Sequence, residues 1–171
     1  LGGFGPLKNV SALIAAFARL ERKFTDCDLV LVGEHQQETF HSTFDQLVDQ
    51  VARLGLQARV HFTGYVPDEE LAPLLNLAQV LVLPSFNEGF GLPAVEAAAC
   101  GCPVIATRSS PLPELLQEGG LYIDPHEPQQ LEQALERVLE DQELRQKMSQ
   151  AALRQARQLC WNLAAQRLLQ S

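Results

Sequence analysis

The chain has 171 residues, 46% hydrophobic and 20% charged, which is enough for one domain with a sizeable core and excludes a disordered chain. A formal net charge of −8 excludes nucleic-acid backbone binding as the main role, since that needs a basic face, but leaves room for a local cationic pocket. No apolar run reaches the roughly eighteen residues of a membrane span.

The elements alternate along the chain. Asn9 and the helical spacing of Val10, Leu13, Ile14, Phe17 and Leu20 predict a capped helix over 9–24. "DLVLVG" (28–33) is a buried strand ending in glycine, and residues 38–54 return to helical period before Gly55. "ARVHFTG" (58–64) is a strand, 68–77 a short helix, and "QVLVLPS" (79–85) a third strand. "LPAVEAAACG" (92–101) places Pro93 in a first helical turn and Gly101 just past the end. "PVIAT" (103–107) and "GLYID" (120–124) are strands around a short helix at 113–117. Residues 127–171 form a helical carboxyl-terminal portion with a break expected around 159–162. Continuous apolar strands alternating with helices imply a Rossmann-like α/β fold, a doubly wound parallel sheet of about six strands with helices on both faces. Residues 1–171 are expected to be a single domain.

Such sheets bind ligands beyond the carboxyl ends of their strands, where the glycine-rich loops 2–8 and 88–92 both fall. In "PSFNEGFGLPAVEA", Gly89 and Gly91 permit close backbone approach, and the free amides and dipole of the following helix suit a phosphate. Glu88 is an acceptor for neutral hydroxyls. Glu96 has only apolar neighbours in "AVEAAA"; buried there without a donor it would cost several kcal/mol. For an isolated Glu the simpler reading is a water-facing helix residue at 96 and a turn residue at 88. Two acceptors beside an anion-binding helix start are, however, what a sugar nucleotide needs.

"NEGFGLPAVEAAACGCPVIAT", with seven residues between Glu88 and Glu96, resembles the donor-binding signature of family 4 (group 1) retaining glycosyltransferases of the two-domain GT-B fold. "PLKNVSALIAAFARL", "VHFTGYVPDEEL", "PELLQEGGLYIDP" and "CWNLAAQRLL" are similar to other parts of that family's carboxyl-terminal half, so the likeness covers nearly the whole chain. The resemblance implies a donor-binding domain, with the acceptor domain on a preceding segment absent from this chain; Leu1 in place of Met implies processing or truncation. It implies that Glu88 contacts hydroxyls of the donor sugar, and that the Gly89, Phe90, Gly91 and Leu92 loop meets sugar and phosphate. Glu96 binds ribose, Tyr65 and Val66 lie against the base, and Lys8 neutralises the diphosphate above Gly2 and Gly3. The resemblance thus implies Glu88 and Lys8 as catalytic residues, each in its own role, in a front-face displacement that keeps the anomeric configuration.

Two positions depart from the family pattern. Gly3 stands where many members carry an arginine paired with the lysine, leaving less electrostatic help for the departing nucleotide, with Arg108 the nearest substitute. Glu34 stands where a second glycine is common. No cofactor or metal is expected: His35, His41, His61 and His126 are scattered, and Asp26 and Asp28 of "DCD" precede a strand, at the wrong end of the sheet. Asp68, Glu69 and Glu70 read as a helix start. Cys27, Cys100, Cys102 and Cys160 read as free thiols of a reducing compartment, and Trp161 as terminal-helix packing.

The expected partners are a nucleotide-sugar donor and, through the other domain, a saccharide, lipid-linked or other hydroxyl acceptor. The expected location is the cytosol or the inner membrane face. The fragment alone is expected to bind nucleotide weakly and transfer nothing. The alternatives are an epimerase or phosphorylase of the same fold, or a degenerate domain serving as a scaffold.

Overall fold

The computed structural model describes residues 2–33 and 41–159. Five strands and seven α-helices alternate through them: α1 (Val10–Leu20), β1 (Leu29–Val32), α2 (His41–Arg53), β2 (Val60–Gly64), α3 (Asp68–Leu77), β3 (Leu81–Leu83), α4 (Leu92–Ala99), β4 (Val104–Thr107), α5 (Leu112–Leu116), β5 (Gly120–Ile123), α6 (Pro128–Glu140) and α7 (Gln142–Gln158). Every pairing is parallel. The strands fall into two ladders, β1-β2 and β3-β4-β5. Five strands are therefore placed against an expectation of about six.

The sheet is covered on both faces, as continuous apolar strands require. Alternation along β4 sends Ile105 to one apolar cluster and Val104 and Ala106 to the other, and all three are fully buried. The first cluster joins Leu31 and Val60 of one ladder to Ile105 and Ile123 of the other, beneath α1 and α6. In α1 the residues at helical spacing, Leu13, Ile14, Phe17 and Leu20, are buried, each contributing about 1.5–3 kcal/mol. The second cluster holds α4 close, because Ala94, Ala97 and Ala98 present no bulk. Edge strand β2 departs from the two-sided pattern and exposes alternate residues, starting with His61.

The carboxyl-terminal helical portion breaks at Asp141, between α6 and α7. Asp141 caps α7 by accepting from the Leu144 amide at 2.9 Å, and Arg145 donates to the free Val138 and Leu139 carbonyls ending α6. Residues from 160 onward, including Cys160, Trp161 and most of the expected 159–162 break, lie outside the described residues, as do Glu34 and His35. Among the described residues no helix is long and apolar enough to cross a membrane.

Candidate functional site

The crevice lies at the carboxyl ends of the strands, where the 2–8 loop meets the β3–α4 loop. Lys8 Nζ donates to Glu88 Oε2 at 3.0 Å and Oε1 at 3.3 Å. Ser85, almost wholly buried, donates its hydroxyl to the same Oε2 at 3.0 Å. The Glu88 side chain is 12% exposed and that of Lys8 37%, so the pair sits at the crevice wall with the ammonium reachable from solvent. The Glu88 amide donates to Ser109 O at 3.3 Å, tying this loop to the one after β4. Sequence reasoning gave the two groups separate tasks. The structure brings them into direct contact.

Asn9 organises the other side. It precedes α1 with a left-handed backbone (φ 54°), a conformation asparagine tolerates better than most residues, and makes no side-chain cap. Instead its Nδ2 donates to Pro84 O at 3.1 Å and Pro125 O at 3.3 Å. The expected helix cap is thus corrected: one amide ties the loop carrying Lys8 to the loops after β3 and β5. The Phe86 amide donates to Leu7 O at 2.9 Å, and the Phe86 ring packs on His126 at 5.1 Å. Asn9 and Ser85 are the residues that sequence reasoning missed as parts of the site. The available signals were an αL-tolerant residue directly after the lysine, and a small hydroxyl three positions before the acid.

The helix start is open. Gly91 is the N-cap of α4 at φ 75°, with no side-chain cap, and Pro93 takes the first turn. A Cβ on Gly91 would lie 2.8 Å from Leu112, so this glycine is needed both for its dihedral and for space. Phe90 and Leu92 are exposed beside it. Glu96 sits on α4 and is exposed, with no hydrogen-bond or ion-pair partner among the described residues. The concern about a buried unpaired carboxylate therefore does not arise.

Tyr65 and Val66 follow the left-handed Gly64 at the end of β2, and Tyr65 is 67% exposed. Gly2 and Gly3 are exposed, and the Gly2 amide donates to Val32 O at 3.0 Å. Arg108 donates to Gln130 on α6 at 2.9 Å.

Remote groups are accounted for by packing. Asp28, at the amino end of β1, pairs with Arg59 at 2.8 Å and His61 at 3.1 Å, and these hydrogen bonds, Arg59 first, hold its carboxyl below the usual range. Asp68, Glu69 and Glu70 occupy the first turn of α3. Cys27, Cys100 and Cys102 are free, and burial pushes the Cys102 thiol up to about 11.

Residues 1–155 match the family described as Glycosyl transferases group 1. The chain belongs to this family. A curated member, the D-inositol 3-phosphate glycosyltransferase of Corynebacterium diphtheriae, is 34% identical over 170 residues, covering 98% of this chain and 40% of that protein. This group 1 chain therefore spans less than half the length of that relative. Anabaena HepE in complex with UDP superposes with a TM-score of 0.80 at 29% identity, over 92% of this chain and 43% of HepE. The C-terminal domain of a glycosyl transferase group 1 family protein from Francisella tularensis matches at TM-score 0.82 and 29% identity, over 91% of this chain and 80% of that one. The fold of this group 1 chain is that of one half of a GT-B enzyme.

Proposed function

We propose that residues 1–171 are the donor-binding domain of a retaining GT-B glycosyltransferase, which moves a sugar from a nucleoside diphosphate sugar to an acceptor hydroxyl. The observation that carries this reading is the Lys8–Glu88 pair at the carboxyl ends of parallel strands, beside the uncapped start of α4. A diphosphate arriving there competes with Glu88 for the Lys8 ammonium and takes backbone amides of the 89–92 loop as further donors. Glu88, still held by Ser85, then presents its other lone pairs to hydroxyls of the sugar. Glu96, free on α4, accepts from ribose, and Tyr65 with Val66 flanks the base.

In this reading the catalytic contribution of the chain is electrostatic. Lys8 and the loop amides meet charge developing on the leaving diphosphate, in a crevice where such interactions are stronger than in water. No protein nucleophile is invoked. The chemistry needs neither cofactor nor metal from this domain. The acceptor, a saccharide, lipid-linked or other alcohol, is placed by the second domain, so the chain alone binds nucleotide weakly and transfers nothing. The enzyme works where nucleotide sugars are made, in the cytosol or against the inner membrane face.

Titration of the full-length protein with UDP, GDP, ADP and their sugars tests this, with UDP first because HepE is seen with it. Binding of one family of ligands, weakened by Lys8→Ala, is the expected result. No binding by any of them, with Lys8→Ala and Glu96→Gln without effect, would favour a scaffold whose Gly3 marks lost chemistry.

A further inference from the structure

Burying a hydroxyl is unfavourable unless it is hydrogen-bonded, so the places where a chain does it are few. Among the described residues only two polar side chains are buried, Ser85 at 1% and Thr107 at 0% exposed. They stand at the carboxyl ends of the neighbouring parallel strands β3 and β4, and both lead to Glu88. Thr107 acts on its backbone. Thr107 Oγ1 accepts from the Ser109 amide at 3.2 Å, and Ser109 O accepts from the Glu88 amide at 3.3 Å. Ser85 acts on its side chain, donating to Oε2 at 3.0 Å. The Thr107 bond closes a local backbone turn, which is ordinary work for a short hydroxyl. The Ser85 bond closes no backbone turn. It ends on a carboxylate at the crevice wall, and no feature of the loop's own folding requires it.

The two oxygens of that carboxylate are not equivalent. Oε2 accepts from Lys8 and from Ser85, both at 3.0 Å. Oε1 accepts, among the described residues, from Lys8 alone at 3.3 Å. We propose that Ser85 is a positioning residue for the donor sugar, keeping Oε2 on the protein and turning Oε1 outward to a sugar hydroxyl. This rests on the donor reading above. Once Lys8 passes to the diphosphate, Oε1 is released, while Ser85 remains as the described chain's donor to the carboxylate. Ser85 is rigid for the task, being buried and having a single carbon–oxygen side chain. Glu88 is long, and Gly89 beside it meets no neighbour that would fix the loop. Without the Ser85 bond, the Glu88 side chain stays free to rotate until the sugar arrives, and ordering it then weakens binding. A fixed Oε1 also discriminates. A sugar whose hydroxyl points elsewhere leaves that oxygen desolvated and unpaired.

The test is calorimetric titration of the full-length protein in a double-substitution cycle of Ser85→Ala and Glu88→Ala. The probes are UDP with UDP-glucose, GDP with GDP-mannose and ADP with ADP-glucose, taking the pair that the wild type binds. Ser85→Ala is expected to weaken the sugar nucleotide about tenfold, while the nucleoside diphosphate stays within about twofold of wild type. In the Glu88→Ala background the same substitution is expected to change neither ligand, because nothing remains for the hydroxyl to hold. A purely structural Ser85 lowers both ligands together, or acts alike in both backgrounds, and either result would overturn the proposal. So would full sugar-nucleotide affinity in Ser85→Ala alongside its loss in Glu88→Ala, a result that leaves the donor reading standing. Absence of wild-type binding to every probe overturns both. If Ser85→Ala does not fold, Ser85→Cys keeps a weaker donor at the same place and is expected to show the same split at about threefold. No split in that variant overturns the proposal equally.

Discussion

The two loops that meet at Lys8 and Glu88 are built in opposite ways. The β3–α4 loop is dictated by packing. Ser85 is buried, the Glu88 amide is bound to Ser109 O, and a Cβ at Gly91 would strike Leu112 at 2.8 Å. The 2–8 loop is tied down by Phe4, which packs against Phe44 and Phe62 at 5.6 and 5.9 Å, and by a few hydrogen bonds. A Cβ on Gly3 or Gly5 would meet nothing within 4 Å. Gly91 is required by the protein itself. Gly89 beside it, like Gly3 and Gly5 of the other loop, is required by no neighbour in this structure, which is the pattern expected where a ligand comes close to the backbone.

Substitutions in the two loops test that contrast. The largest effect is expected from Gly91→Ala, where a left-handed φ of 75° and the Leu112 clash together cost about 2–4 kcal/mol. Gly3→Ala and Gly5→Ala should stay within about 0.5 kcal/mol of wild type. Urea unfolding of the full-length protein measures all three, and equal losses would erase the distinction. Next in size is Asn9. Asn9→Gly keeps the left-handed backbone and loses the bonds to Pro84 and Pro125, about 1–2 kcal/mol. Asn9→Ala adds roughly 1 kcal/mol more of strain. A Gly variant as stable as wild type would show that the two carbonyl bonds do not hold the loops together.

Gly3→Ala supplies a third check. Its stability should barely change, yet nucleotide affinity should fall about tenfold, or about 1.4 kcal/mol, if the ligand approaches that backbone. Unchanged affinity in calorimetry would assign the glycine no ligand role. The smallest effect belongs to Asp28, far from the crevice. Its depressed pKa means that the stabilisation is present above the unfolded-state value near 4 and is lost as pH falls through the lower folded value. Asp28→Asn should therefore be slightly less stable at pH 7 and converge with wild type in acid. A difference that grows below pH 4 would contradict that sign.

Much of this was legible in the sequence, because local pattern and tertiary role agreed. Helix α3 falls on its predicted residues, and apolar runs located β1 to β5 to within a few positions. What was missed required knowing what the chain folds against. The spacing around Asn9 reads equally well as a helix cap; only the arrival of Pro84 and Pro125 beside it redirects the amide. Asp141 caps α7 inside a run whose apolar period continues across it, so periodicity alone hid the break. Glu96 stands among apolar letters but on the outer side of α4, and one short helix of small residues gives little indication of which side that is. The roles of Lys8 and Glu88 were assigned separately because contact between residues 80 positions apart is a property of the fold.

In the proposed function the Lys8 ammonium passes from Glu88 to the diphosphate. Calorimetric titration of the full-length wild type and Glu88→Gln, each with UDP and with UDP-glucose, tests it most directly. An ion pair with its ammonium open to solvent is worth about 0.2–1 kcal/mol, so releasing Lys8 should leave UDP affinity unchanged or raise it by up to about fivefold. The same substitution should weaken UDP-glucose about tenfold or more, since only that ligand presents sugar hydroxyls to Glu88. Equal weakening of both ligands, or no change in either, would contradict the account.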